Sequence, residues 1–325
     1  MRFVIYGAGA VGGTIGARLF QHGHEVLLIA RGAHHDAIKA TGLTFVTPIE
    51  SVTLPIPVVS HPSEITFSRD DAVILTMKSQ HTWDALLSLR AAAGTDVPVI
   101  CCQNGVANER MAIRLFERVY GMVVMLPANH FEAGVVECNS TSKSGILDTG
   151  CYPKGKDALI TAVAKAIDGS NCSSFADEDV MRWKYQKLLR NLNNSLQALC
   201  EMNEATLPIS SMLHAEALSV YEAAGINSAG DEEEKERRGD FVTMKPIGGK
   251  RRAGGSSWQS LMNGKGDIES DYMNGEIVLL GRMNGVATPA NTVLQNLATQ
   301  AARENWEPGR MQAQTIMSQI EERRD

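Results

Sequence analysis

No apolar run in this 325-residue chain reaches the roughly 18 to 20 residues that a membrane span requires. A signal peptide is missing too: Met1-Arg2-Phe3-Val4-Ile5-Tyr6 runs at once into glycines, with no separate apolar segment and no small-residue cleavage site. There is no excess of positive charge. A net charge of −6 supplies no basic field for nucleic acid or an anionic membrane surface, so neither is expected as a partner. Cys101, Cys102, Cys138, Cys151, Cys172 and Cys200 form neither a CxxC nor a Cys/His metal spacing. They read as reduced, mostly buried thiols of a cytoplasmic protein, and no metal is expected. No internal repeat of fixed period is found.

What is present suits a folded protein of two domains, since 325 residues with 44% hydrophobic content exceed one typical domain. The first third alternates short runs rich in β-branched residues with helical patterns, which predicts βαβ units and a parallel sheet. Residues 2–6, 25–29, 72–76 and 97–101 are such runs. From Val123 to Leu147 the pattern predicts antiparallel strands completing that sheet, and a helix around Gly155 to Ile167 closes the domain. After Asp177 apolar residues recur at helical spacing through Met181–Met202, Ser210–Ala224, Ile268–Asn284 and Asn291–Ala302. The expected fold is therefore α/β: a dinucleotide-binding domain over residues 1–177 and an all-α domain over residues 178–325. The charged run from Asp231 to Arg238 and the basic, glycine-rich stretch from Gly248 to Gly255 read as a surface helix end with a mobile loop, or as a lid over a site.

Gly7-Ala8-Gly9-Ala10-Val11-Gly12 satisfies G-x-G-x-x-G, with a strand ending at Tyr6 and a helical pattern through Thr14 to Gln21. Gly7 permits the tight turn, Gly9 lets backbone approach a pyrophosphate, and Gly12 permits close helix packing. The following helix offers its free N–H groups and positive dipole end to the phosphates. An NAD-binding unit places Asp or Glu at the end of the second strand to meet the ribose 2′-hydroxyl. That end reads Ile29-Ala30-Arg31-Gly32, and a guanidinium there can clamp a 2′-phosphate in bidentate fashion, so NADP(H) is the expected cofactor. Lys78 follows the third apolar run and Asn104 the fourth, where carboxyl ends of strands meet a ligand in an open sheet. Either residue serves cofactor contact or simply a turn, Asn-Gly being an ordinary turn signal.

A polar stripe runs along Trp183 to Leu196. With Lys187 as origin, Asn191 falls at about 40°, Ser195 at about 80°, Asn194 at about −20° and Lys184 at about 60° on a helical wheel. Leu188, Leu192, Leu196 and Leu199 group on the neighbouring face. Hydride transfer to a ketone needs a proton donor for the developing alkoxide and fixed groups to hold the carbonyl. A partly buried lysine fits, but the wheel does not choose between Lys184 and Lys187, and a solvated polar face remains an alternative reading.

Taken with Lys78-Ser79-Gln80, Gln103-Asn104-Gly105-Val106, Lys187-Leu188-Leu189-Arg190-Asn191, Ser256-Ser257, Glu269 to Val278 and Gly285 to Asn291, the chain resembles the ketopantoate reductase (2-dehydropantoate 2-reductase) family over nearly its whole length. The resemblance implies a Rossmann domain followed by a helical domain like those of the 6-phosphogluconate dehydrogenase superfamily. It implies NADPH-dependent reduction of 2-dehydropantoate to pantoate in pantothenate and coenzyme A biosynthesis. It also assigns Lys187 as general acid, Asn191 beside the substrate, Glu269 as the acid that meets substrate and lysine, and Ser257 as a candidate for the substrate carboxylate. Family members often carry a second asparagine where this chain has Ser195, so Asn194 or Ser195 takes that substrate contact. Two other readings stand beside it: a paralogue reducing a different 2-oxo acid or related carbonyl compound, and a noncatalytic NADPH-binding sensor. A homodimer through an apolar face of the helical domain is compatible with the sequence.

Overall fold

The computed structural model describes residues 1–250, 252, 254–264 and 266–324, so Arg251 and Ala253 of the basic stretch lie outside the described residues. The chain divides into two compact units. The first comprises Met1–Asn104, Asn108–Lys184 and Asp231–Arg252; the second comprises Gly105–Ala107, Tyr185–Gly230 and Ala253–Asp325. A linear division at 177/178 therefore misses the return of Asp231–Arg252 to the first unit.

In the first unit, strands β1 (Arg2–Tyr6), β2 (Glu25–Ile29), β3 (Leu43–Val46), β4 (Ser51–Leu54), β5 (Val58–Val59), β6 (Asp71–Leu75), β7 (Val99–Cys101), β8 (Val119–Met122), β9 (Ala128–Asn129), β10 (Val135–Cys138) and β11 (Thr149–Cys151) form two sheets. The main sheet runs β11-β8-β7-β6-β1-β2-β5, parallel except for β11. Chain order reverses between β1 and β6, the place where an open α/β sheet opens a crevice at its carboxyl edge. Both faces of this sheet are covered, which is why its strands are continuous apolar runs. Phe3, Ile5, Leu28, Ile74 and Ile100 join one core with residues of α1 (Ala10–Gln21) and α5 (Ala158–Asp168). Val4, Ile29, Val73, Leu75 and Val99 join another with Leu86 and Leu89 of α3 (Thr82–Ala93). Two shorter helices, α2 (Gly32–Thr41) and α4 (Asn108–Ala112), complete this layer set.

The segment 123–147 extends the main sheet only at its two ends, where Met125 bridges Ile146 antiparallel in register with the pairing of β8 and β11; its middle goes elsewhere. Its strand β10 pairs in parallel with β3, Val136 opposite Phe45, in a second sheet ordered β4-β3-β10-β9. Alternating burial along β10 marks a strand covered on one face. Of the named strands after β8, β11 joins the main sheet, antiparallel to β8.

The second unit is helical: α7 (Asn193–Leu199), α8 (Leu207–Ala223), α10 (Ser256–Met262), α11 (Asn274–Asn284), α12 (Pro289–Arg303) and α13 (Ala313–Glu322). The unit boundary falls inside α6 (Val180–Asn191), between Lys184 and Tyr185. As the wheel predicts, Leu188, Leu192, Leu196 and Leu199 are buried.

The charged segment is tied down from Arg237 to Lys245. It begins as α9 (Asp231–Arg238), whose Arg237 makes a bidentate ion pair with buried Asp148 at 2.7 and 2.5 Å. The guanidinium also lies over the rings of Phe175 and Phe241, at 4.8 and 5.4 Å from their centroids. Beyond the helix, the Thr141 N–H donates to the Thr243 carbonyl at 3.0 Å and the Lys245 N–H to the Asn139 carbonyl at 3.1 Å.

Candidate active site

The glycine turn follows β1 directly. Gly7 has a φ of +108°, a conformation that side chains resist. A Cβ on Gly12 would collide with the Gly7 carbonyl oxygen and Thr76 Oγ1. That hydroxyl donates to the Gly7 carbonyl at 2.7 Å, locking the turn to the end of β6. Helix α1 starts at Ala10 with Gly9 as its cap residue and no side-chain cap, so the amides of Ala10, Val11 and Gly12 face outward uncapped. No atom lies within 4 Å of where a Gly9 Cβ would stand. An uncapped helix end beside open space suits the pyrophosphate of a dinucleotide, which would take both the amides and the dipole.

Arg31 is exposed at the end of β2, directly before α2. Its charge draws down the phenol of Tyr6, which burial nevertheless pushes above the ordinary tyrosine value. Lys78 and Asn104, both half-buried, follow β6 and β7 at the carboxyl edge. Side chains not singled out by the sequence hold this edge together. Gln103 Nε2 donates to Thr82 Oγ1 at 2.7 Å, Thr82 Oγ1 to Asn108 Oδ1 at 2.8 Å, and Asn108 Nδ2 to Ser79 Oγ at 3.1 Å and the Asn104 carbonyl at 3.3 Å. The chain of bonds fixes the backbone on either side of Lys78 and Asn104. Glutamine and asparagine flanking a strand end are its sequence signal, but the pairing spans loops that periodicity does not relate.

The choice between the two lysines is settled for one of them by burial. Lys184 is 3% exposed and ion-paired at 2.5 Å with Glu109, which is fully buried. Its ammonium also donates to the carbonyls of Gln103 at 3.0 Å, Cys101 at 3.2 Å and Met122 at 3.3 Å, closing the carboxyl ends of β7 and β8. Every donor of Lys184 is thus spent within the fold. Burial, with Glu109 adding to it, also pushes the neighbouring Cys101 thiol well up. All six cysteines are free, and burial raises Cys172 to about 12 and Cys138 to about 11, so these thiols stay protonated.

In the second unit, Lys187 is half-buried on α6 and Asn191 is the last residue of that helix. Asn194, also half-buried, donates to Ser256 Oγ at the start of α10, 3.4 Å away. Ser257 is buried one position further along α10. Glu269 is buried in a 3-10 turn before α11, close enough for its charge, with that of Asp271, to help burial raise the Tyr272 phenol. Ser195 differs from these. It is 1% exposed, and its hydroxyl donates to Asn274 Oδ1 at 2.7 Å inside the fold. The wheel places it on the stripe, but its hydrogen bond belongs to packing, which leaves Asn194 as the polar group presented at that level.

Asn274 is the residue that sequence reasoning passed over. Its Nδ2 donates to the Leu192 carbonyl at 3.2 Å and to Asn291 Oδ1 at 3.0 Å. Asn291 Nδ2 in turn donates to Glu216 Oε2 at 2.8 Å and to the Leu213 carbonyl at 3.2 Å. Leu192 is the break between α6 and α7, and a side-chain amide on a helix carbonyl is a recognised cause of such a break. The network therefore anchors the helix backbone between Asn191 and Asn194. Its signal was an asparagine at the first position of α11, just before the apolar run Ile277 to Leu280.

Among the described residues no cluster of three or more His, Cys, Asp or Glu is placed to hold a metal, and no helix is long and apolar enough to cross a membrane. A family model described as ketopantoate reductase PanE/ApbA matches residues 3–153, and one described as ketopantoate reductase PanE/ApbA C terminal matches residues 179–302. A relative from Pyrococcus horikoshii named 2-dehydropantoate 2-reductase is 28% identical over 295 residues, covering 90% of this chain and 95% of its own. The crystal structure of a PanE/ApbA family ketopantoate reductase from Ralstonia eutropha superposes with a TM-score of 0.79 at 27% identity, over 94% of this chain and 99% of that one. D-mandelate dehydrogenase, in a ternary structure with NADH and anilino(oxo)acetate, superposes with a TM-score of 0.78 at 26% identity over the same shares. The first match ends where the parallel sheet is complete and the second begins at α6, so sheet and helices are both accounted for, and the chain belongs to the ketopantoate reductase family of oxidoreductases.

Proposed function

We propose that the protein reduces 2-dehydropantoate to pantoate with NADPH, a step toward pantothenate and coenzyme A. When bound, the reduced nicotinamide supplies the hydride that the ketone carbon accepts. Gly7 to Gly12 hold the pyrophosphate, Arg31 the 2′-phosphate, and Lys78 and Asn104 the remaining cofactor oxygens. Lys187 gives its proton to the ketone oxygen as charge develops there. Asn191 and Asn194 hold the substrate by hydrogen bonds, Ser257 meets its carboxylate, and Glu269 orients substrate and lysine together. In this reading residues 1–177 carry the cofactor contacts and residues 178–325 the substrate contacts, the enzyme is cytoplasmic, and a homodimer uses the helical half.

The observation that carries the acid assignment is the contrast between neighbouring lysines. Lys184 is consumed by Glu109 and three carbonyls, whereas Lys187 is half-buried on the stripe of Asn191 and Asn194. Partial burial suits an acid, because desolvation moves an ammonium toward the working pH. Lys187→Ala is expected to lower turnover about a hundredfold or more while NADPH still binds. Undiminished turnover would remove Lys187 from the chemistry.

The likeness to D-mandelate dehydrogenase supports a second reading, in which a different 2-oxo acid is the substrate on the same scaffold. Steady-state kinetics with NADPH on ketopantoate and on an aryl 2-oxo acid separates them. A far higher specificity constant for the aryl acid rejects ketopantoate and keeps the reaction type.

A further inference from the structure

The glycine turn is held by a side chain outside the G-x-G-x-x-G string. His34, in the first turn of α2, places Nε2 2.7 Å from the Ala8 carbonyl oxygen, and its Nδ1 lies 2.9 Å from the Gly134 N–H. A backbone N–H only donates and a carbonyl only accepts, so Nδ1 is bare and Nε2 carries the proton. The ring is thus a neutral imidazole with both nitrogens engaged. It packs against His130 with centroids 4.1 Å apart and the rings tilted by 48°, and a Cβ on Gly134 would stand 2.9 Å from Ala37 Cβ of α2.

This places one ring between three segments: the turn, the helix that begins beside Arg31, and the loop leading into β10. The Ala8 N–H already donates to the Ile29 carbonyl at 3.2 Å and the Gly9 N–H to the Gly7 carbonyl at 2.8 Å. Because a peptide group is planar, fixing the Ala8 oxygen fixes the Ala8–Gly9 plane and with it the entry into the uncapped end of α1. Rotation of that plane would turn a carbonyl oxygen toward the space a phosphate needs. We propose that His34 is a positioning residue for the dinucleotide, holding the Ala8–Gly9 peptide in the one orientation that presents amides to the pyrophosphate.

The inference rests on dinucleotide binding at this turn. Its test is the dissociation constant of NADPH and of NADH, from quenching of protein fluorescence, for the wild type and three variants. His34→Ala is expected to weaken both coenzymes by up to about tenfold, the loss of a part-buried hydrogen bond, because the pyrophosphate is common to them. Turnover and the KM for the oxo acid should move less than about twofold by the same reasoning. His34→Phe keeps a ring against His130 without the hydrogen bonds, so it reports the same loss should His34→Ala not fold. His34→Gln carries an acceptor and a donor at similar separation and should recover most of the affinity. Unchanged affinity in His34→Phe, a loss confined to NADPH, or no recovery in His34→Gln each overturns the role of His34. Failure of the wild type to bind either coenzyme overturns the underlying reading as well.

Discussion

The carboxyl edge of the sheet and the α6–α7 stripe hold their functional groups by different means. At the sheet edge the proposed pyrophosphate contacts are the backbone amides that open α1, while the N–H groups of Gly7, Ala8 and Gly9 before them are already bonded to β2 and within the turn. Gly7, Ala8 and Gly9 follow a central strand whose register with β2 and β6 is set residue by residue. On the helices the offered groups are side chains, and their direction depends on how each helix is turned. Asn274, far away in sequence, holds the Leu192 carbonyl and the Ser195 hydroxyl of that stripe. A site made of backbone tolerates change in what surrounds it; a site made of side chains inherits every adjustment of the helix that carries it.

The largest expected effect breaks the sheet edge itself. Glu109→Ala leaves the buried Lys184 ammonium without its counter-ion and should cost about 3–5 kcal/mol of stability, read from urea unfolding. A cost under about 1 kcal/mol would mean that the three carbonyls suffice to hold Lys184, with the carboxylate dispensable. Next, Asn274→Ala strips partners from Ser195, the Leu192 carbonyl and Asn291, for a cost of about 2–3 kcal/mol. More telling for the comparison, it should raise the KM for the oxo acid several-fold with coenzyme affinity unchanged, since only the helix-borne groups depend on it. An unaltered KM would break the contrast drawn here. The smallest is Arg31→Ala. Removing an exposed guanidinium should leave stability within about 0.5 kcal/mol. It should still weaken NADPH by about tenfold with NADH unaffected, a charge-assisted bond being worth about 1.5 kcal/mol or more. Equal loss for the two coenzymes would deny Arg31 the 2′-phosphate.

The same contrast explains what could be read from the sequence. The parallel sheet, the glycine turn and the strand-end Arg31 are local patterns and appear where the spacing predicts them. The second sheet is not local: β3 and β10 are four residues each and meet across some ninety positions, Phe45 beside Val136. A helical wheel brings Ser195 onto the polar stripe but carries no knowledge of Asn274, which claims its hydroxyl. Likewise it sets Lys184 and Lys187 nearly side by side and cannot show that Glu109, on another element, pairs with Lys184. Charge density along 231–238 suggested a loose surface segment, and the ion pair to Asp148 that anchors it could not be anticipated from spacing.

That ion pair bears on how the protein is made. Asp148 is buried within the first unit, and the guanidinium that compensates it arrives 89 positions later, after the chain has left that unit and come back. Domains emerging from a ribosome generally fold from the amino terminus onward. Here the nucleotide-binding half cannot finish at Lys184: it must wait, with an uncompensated carboxylate in its interior, until α7, α8 and α9 have been synthesised. The amino-terminal unit is thus begun first and completed only after much of the helical unit has been translated.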